Sequence, residues 1–365
     1  MIFEFFPSRT LTGYLARLFV TRIAAMLIML VMVLQVLDLL GTSGDILAYK
    51  GNGEAQLLYY VSLRIPQLVA RFLPYSVLLA TIITLATLNQ NSEVISMKAS
   101  GLSAHQILAP LLLSATVIAG LSFAFNERVV TRASAALDAW EAVDYGPVPA
   151  ASSVRSNIYL ADGADLMTAR TMTGEGAGIV LTGVTFYERD EHDMITRQIR
   201  SDKATYANPG WKLAGATVFD VAGTTTSKIP SLVIARGVTP AKLSLSKVDA
   251  DGEDIVTLAH SINALRIAGR RTSTYEAAWW HKISGPMASI LMPLLGAVAG
   301  FGLARSGQLL IRSIAGMALG FAYFVLDNAA LAMGNFGGYP PLVAAWAPFV
   351  LFALIGEAVL IRTEE

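Results

Sequence analysis

Six long apolar runs, three before a polar middle and three after it, constrain this chain more than any other feature of its 365 residues. Hydrocarbon offers no partner to a backbone N–H or C=O, so such runs cross a bilayer as α-helices that satisfy those groups internally. Roughly 20 apolar residues suffice for one crossing. The runs fall at about Ile23–Leu40, Leu68–Leu88, Ile107–Phe125, Trp279–Leu303, Leu309–Met333 and Pro341–Ile361. The composition agrees, with 54% hydrophobic and 15% charged residues, where soluble domains carry about a quarter charged. The first run is too long for a signal peptide and lacks a small-residue cleavage site, so it is expected to stay as span 1. Ahead of it, Met1 to Arg22 mixes Phe3, Phe5, Phe6 and Tyr14 with Arg9, Arg17 and Arg22, which reads as an interfacial helix.

The polar middle, residues 130–275, is rich in Gly, Thr, Ser and Asp. A helical piece from Arg132 to Val143 is closed by Gly146-Pro147. Short β-like runs follow at Asn157–Ala161, Leu166–Arg170, Ile179–Glu188, Met194–Arg200, Lys203–Ala207, Trp211–Asp220 and Ser231–Ala235. Turn signals such as Asp162-Gly163 and Asn208-Pro209-Gly210 separate them. That rhythm predicts a sandwich, jelly roll or open roll. Thr257 to Arg270 reads as an amphipathic helix on Leu258, Ile262, Leu265 and Ile267. The predicted fold is an α-helical polytopic membrane protein of six transmembrane helices, three in residues 1–129 and three in 276–365, with an all-β domain inserted at 130–275.

Basic residues near span ends orient such a chain. With the N-terminus inside, the inner segments hold Arg9, Arg17, Arg22, Lys98, Arg305, Arg312 and Arg362. The outer loops hold only Lys50, with Arg64 and Arg71 nearby. Both termini are therefore expected in the cytoplasm and the β domain outside. Asn89 to Gln106 is then a cytoplasmic stretch, with a short helix predicted at about 90–101 that Gly101 would stop. Two readings of it stay open: a solvated loop, or a docking helix that passes force to a partner. Asp38, beside Gln35 near the far end of span 1, sits at the headgroup level or lines a polar path. Arg64 and Arg71 snorkel to lipid phosphate or face an inner cavity.

Catalytic signatures are missing. There is no GxxxxGK[ST] and no GxSxG, and Gly174 to Gly178 lacks the spacing of a dinucleotide loop. Cysteine is absent, and the four histidines, His105, His192, His260 and His281, form no ligand pair. Ser244-Leu245-Ser246-Lys247 matches SxxK without its companion motifs. The formal net charge is zero and no basic patch stands out, so no nucleic-acid partner is expected. No cofactor is expected on this chain.

Nearly end to end, the chain resembles the LptF/LptG family, the permease subunits of the bacterial lipopolysaccharide export ABC transporter, and more closely its G-type members. Asn91-Ser92-Glu93-Val94-Ile95-Ser96-Met97-Lys98-Ala99-Ser100-Gly101 looks like that family's coupling segment. Pro66 and Pro74, Tyr323-Phe324-Val325-Leu326-Asp327, and Tyr339-Pro340-Pro341 look like the G-type pattern. The resemblance implies a jelly-roll-like periplasmic domain and an inner-membrane location. It also implies an F-type permease partner, a homodimeric cytoplasmic ATPase that carries the ATP and Mg, and a single-span periplasmic bridge protein. Lipopolysaccharide would be the cargo. In this reading Glu93, Val94, Ile95, Met97, Ala99 and Gly101 contact the ATPase. Spans 1 and 5 act as lateral-gate helices, with Tyr323, Phe324 and Asp327 on span 5.

One departure bears on the lipid site. Family lysines near the outer end of span 1 fall here on places such as Gln35, Gly41 and Thr42, so Gln35, Asp38, Lys50, Arg64, Arg71, Arg128 and Arg132 become the candidate lipid contacts. A function of another class, a membrane-anchored sensor or assembly platform, remains as the alternative. Six spans suit a transport path better than an anchor.

Overall fold

A computed structural model describes residues 6–147, 155–162, 165–174, 178–190, 194–240, 249–267, 270–300 and 308–362. Met1 to Phe5, His192, Ser244 to Lys247 and Arg305, and parts of the Asp162-Gly163 turn and of the Gly174 to Gly178 run, lie outside these residues. The chain divides into two compact units. One comprises Met1–Leu40, Val61–Ala133 and Ala250–Glu365, the other Gly41–Tyr60 and Ser134–Asp249.

The first unit is helical. In chain order the helices are α1 (Arg9–Ala48), α2 (Glu54–Gln90), α3 (Glu93–Ala99), α4 (Ala104–Phe125), α5 (Thr131–Glu141), α6 (Ile255–Ile267), α7 (Ser273–Gly300), α8 (Gln308–Asn335) and α9 (Pro341–Arg362); α1, α2 and α5 continue into the second unit. Among the described residues five stretches are long and apolar enough to cross a membrane: Arg9–Ala48, Glu54–Gln90, Ala104–Glu141, Ser313–Asn335 and Pro341–Arg362. The sixth expected span falls on α7, whose 28 residues reach about 42 Å at 1.5 Å per residue. The interfacial helix expected before Ile23 is not separate. No proline interrupts the stretch, so Arg9 to Ala48 winds as one helix of 40 residues.

The core of this unit gathers Val77, Leu78, Leu85 and Leu88 of α2, Ile107, Leu108 and Leu111 of α4, and Leu291, Met292 and Leu295 of α7. Two glycines let backbones approach at its seams. A Cβ on Gly296 would stand 2.7 Å from Thr81 Cγ2, and one on Gly320 would collide with Leu78. Where α4 ends, Asn126–Val130 forms a π-helical turn, a wider turn that re-aims the side chains after it. It points Glu127 at α6 and α7. Glu127 Oε2 accepts the Ile255 N–H at 2.7 Å, and Oε1 lies 3.8 Å from Lys282 Nζ, with both side chains largely buried. Asp254 caps α6 by accepting the Thr257 N–H at 2.6 Å. That bond holds its carboxyl below the usual carboxylate range.

The second unit holds one antiparallel sheet in the order β1-β2-β3-β4-β5-β6. Its strands are β1 (Arg155–Asp162), β2 (Asp165–Thr173), β3 (Val180–Arg189), β4 (Ile195–Tyr206), β5 (Trp211–Asp220) and β6 (Thr225–Ile234). The jelly-roll-like expectation narrows, among the described residues, to this single meander. Met194–Arg200 and Lys203–Ala207, expected as two strands, are one. At the polar break between them the Ser201 hydroxyl donates to the Ala214 carbonyl at 2.8 Å, which lets β4 run on. Gly183 and Gly215, at φ 58° and 68°, lie within β3 and β5, and the pairing keeps its register across both. Inward residues change parity at these two glycines, from Leu181 to Val184 and from Leu213 to Ala216. Trp211 is fully buried, and its indole N–H donates to the Val238 carbonyl at 2.8 Å. A smaller cluster in this unit sets Tyr59 and Tyr145 edge-on to Trp140. Asn52 Nδ2 there donates to the carbonyls of Ile46 and Tyr145.

Candidate functional site

The polar stretch after α2 is built as a rigid elbow. Ser92 takes a left-handed conformation at φ 59°, which turns the chain out of α2, and Glu93 starts α3, where a carboxylate suits the helix N-terminus. The far end closes as a Schellman motif. Gly101, at φ 88°, donates to the Lys98 carbonyl at 3.0 Å, and Leu102 donates to the Met97 carbonyl at 3.2 Å. Ser103 and Gln106 then cap α4 reciprocally. The helix predicted over about 90–101 is thus the seven residues Glu93–Ala99.

Its side chains divide. Val94 and Met97, expected to face a partner, are instead buried in the same core as α2 and α4, because positions three apart share one helix face. Ile95 is 54% exposed, and Ser96, Ala99 and Gly101 are exposed with it. Glu93 is half-buried. It accepts the Tyr14 hydroxyl at 3.1 Å and the Asn91 amide at 3.3 Å. A carboxylate has about four lone-pair sites, so capacity for a further donor remains.

At the other end of α1 and α2 the candidate lipid contacts fall into different states. Asp38 and Arg64 form an ion pair in which Nη2 and Oδ1 are 2.8 Å apart and Nε is 3.2 Å from each carboxylate oxygen. Arg64 also donates to Gln67 Oε1 at 2.7 Å. The Arg64 charge is thereby neutralised locally. Arg71, Arg128 and Arg132 are exposed and form no ion pair among the described residues. Lys50 is exposed on a turn of the second unit. Gln35 is buried, and its amide O and N have no hydrogen-bond partner among the described residues.

The span-5 trio faces the interior of its own unit. Phe324 stacks on Tyr75 with ring centroids 3.7 Å apart and 17° between planes. Tyr323 packs edge-on to Phe352. Asp327 is buried, and its Oδ1 has no partner among the described residues. The opposite side of α8 is the exposed one. Ile314, Phe321 and Val325 are exposed there, Phe321 by 65%. Their spacing of seven and four residues puts them in one stripe along the helix. Along α1 the exposed apolar residues include Ile28, Met29, Met32, Val33, Val36, Leu37 and Leu40.

Two sets of spans around an inserted antiparallel sheet, with a short polar helix locked between the second and third spans, define a polytopic membrane subunit. The chain belongs to the family described as lipopolysaccharide export system permease LptF/LptG, whose model matches residues 13–362. It is similar to the lipopolysaccharide export system permease protein LptG of Escherichia coli (strain K12), at 26% identity over 370 residues covering 98% of this chain and 99% of that protein. The protein of the same name from Escherichia coli O6:H1 gives the same figures. That of Haemophilus influenzae is 24% identical over 307 residues, 82% of this chain and 84% of the relative. The chain is accordingly a lipopolysaccharide export permease subunit, and its likeness is to the G-type members.

Proposed function

We propose that this chain is the G-type half of an ATP-driven exporter that draws lipopolysaccharide from the outer leaflet of the inner membrane and hands it to a periplasmic bridge. It pairs with an F-type permease, is driven by a homodimeric cytoplasmic ATPase, and passes cargo to a single-span bridge protein. ATP and Mg belong to the ATPase, and this chain binds no cofactor. The bias of basic residues supports cytoplasmic termini and a periplasmic β domain.

The family match over residues 13–362 carries this reading, and the geometry of α3 supports it. Val94 and Met97 fasten α3 to the spans, while Glu93, Ile95, Ala99 and Gly101 present the face a partner would meet. An element held this way transmits a rigid-body movement rather than absorbing it. Arg71, Arg128, Arg132 and Lys50 are the counter-charges open to lipid phosphate. The exposed stripes of α1 and α8 are the gate surfaces.

Co-purification with the ATPase and the F-type permease tests the proposal. Glu93→Ala and Ile95→Asp are expected to release the ATPase while leaving the permease pair intact. Val94→Ala is expected to lower the stability of the chain itself, by about 1–3 kcal/mol for a buried aliphatic truncation. A complex indifferent to both Glu93→Ala and Ile95→Asp would remove α3 from the coupling role.

A further inference from the structure

At the start of α7 the chain holds a cavity of about 260 Å³ between that helix and α6. The export reading does not use it. Two adjacent indoles form one corner, with Trp279 and Trp280 centroids 4.8 Å apart and planes at 86°. The Trp279 indole N–H donates to the Ile255 carbonyl at 3.0 Å, so that wall is fixed in orientation. Ile262 and Ala259 of α6 supply apolar surface opposite.

The rim carries one charge of each sign. Arg266 Nη2 lies 2.8 Å from Glu276 Oε1, and the Thr272 hydroxyl donates to the same oxygen at 2.6 Å. Both bonds fall on Oε1, which leaves Oε2 open to another donor. Arg266 and the Thr272 hydroxyl both meet this carboxylate, which places a negative charge on the rim. The Arg266 side chain is 65% exposed and presents its remaining N–H groups outward.

Position narrows the ligand class. Tryptophans at the first turns of a spanning helix sit at headgroup depth, where phospholipid headgroups are the most concentrated small polar groups available. Perpendicular aromatic faces beside a carboxylate suit an ammonium. A guanidinium on the same rim suits a phosphate. The cavity is too small for a whole lipid, since drug-sized ligands occupy roughly 300–1,000 Å³, but a headgroup fits with its acyl chains left in the bilayer.

We infer that the corner of Trp279 and Trp280, with Glu276 and Arg266 on its rim, binds the phosphoethanolamine headgroup of a bilayer phospholipid. The ammonium enters between the indoles and Glu276, and the phosphate meets Arg266. The inference rests on α7 being a span and not on the export reading, so it stands or falls separately from the coupling test.

Native mass spectrometry of the full chain in its complex is the test. Phosphatidylethanolamine, phosphatidylglycerol and lipopolysaccharide are added in separate titrations, the two phospholipids with matched acyl chains. Phosphatidylethanolamine is expected to be retained at least about fivefold more strongly than phosphatidylglycerol. Glu276→Gln and Trp280→Ala should each bring retention down to the phosphatidylglycerol level. Ala259→Leu fills the mouth from an exposed position of α6 and should abolish the preference without disturbing the fold, so it decides the matter if Trp280→Ala does not assemble. Equal retention of the two phospholipids overturns the inference, as does a preference that survives Ala259→Leu. Occupation by lipopolysaccharide in place of phosphatidylethanolamine overturns it too, and assigns the corner to the cargo.

Discussion

The first two helices are nearly equal in length and opposite in use. In α1, 17% of the most apolar window is buried within the chain; in α2 the share is 61%. Polar side chains join the two at several points. Arg64 of α2 reaches Asp38 of α1, and Arg22 of α1 donates to the Ile83 carbonyl of α2 at 2.9 Å. These pairings set the helices antiparallel. Apolar residues cover most of α1 without being packed by this chain, whereas α2 places Val77, Leu78 and Leu85 at the centre of the core. Similar hydrophobicity therefore serves two ends: α2 is scaffold, and α1 is a surface offered to lipid or to another subunit. A membrane helix is classified by what its apolar face meets, which composition alone does not record.

The contrast breaks first at the glycine seams. Gly296→Leu would drive a side chain into Thr81, whose hydroxyl is held by the Val77 carbonyl at 2.7 Å. Overpacking a site with so little freedom is expected to cost about 3 kcal/mol, read as a large drop in the thermal midpoint of the purified chain. Gly13→Leu on α1 meets nothing within 4 Å and should leave stability within about 0.5 kcal/mol of the parent. Equal effects at the two positions would end the distinction between scaffold and surface.

Next in size is the clasp between Asp38 and Arg64. Removing the carboxylate leaves a partly buried guanidinium without its counter-charge, so Asp38→Ala is expected to cost about 1–2 kcal/mol. The double variant Asp38→Ala/Arg64→Ala should cost less than the sum of its parts, measured by thermal unfolding. The same pairing predicts a functional asymmetry between two arginines of one helix. Arg71 is exposed and forms no ion pair among the described residues, so Arg71→Ala should reduce lipopolysaccharide crosslinking by at least about threefold. Arg64→Ala should reduce it by less. The reverse order would place the lipid phosphate at the clasp.

The spans, the inserted β domain and the elbow at Gly101 were legible in the sequence because each follows from a local rule: apolar length, alternating strands, a left-handed stop. The inward turn of Val94, Met97, Tyr323 and Asp327 was not, because a helix bounded by lipid, protein or a partner shows the same periodicity on every face. Asp38 and Arg64 are 26 positions apart, and only the antiparallel setting of α1 and α2 brings them together. The strand at Ile195–Tyr206 reads as two in the sequence, because the polar pair at Ser201 resembles a turn until its hydroxyl finds a carbonyl. The stripe at Ile314, Phe321 and Val325 lay in plain view, but nothing in its spacing distinguishes a gate from a lipid-facing surface.

The finest test concerns how a movement of α3 reaches the spans. α2 joins α3 through the two residues Asn91 and Ser92 and shares its buried face. A side-chain hydrogen bond from α1, between Tyr14 and Glu93, is exposed, which puts it at the low end, about 0.5 kcal/mol, of what such bonds contribute. Tyr14→Phe removes that bond and keeps the ring. If α2 carries the movement, Tyr14→Phe leaves both stability and lipopolysaccharide-stimulated ATPase activity of the assembled complex within about twofold of the parent, consistent with so small a term. A loss near that of Glu93→Ala would mean that α1, the more exposed helix, is itself part of the drive, and its unpacked surface would then have to be read as a moving part.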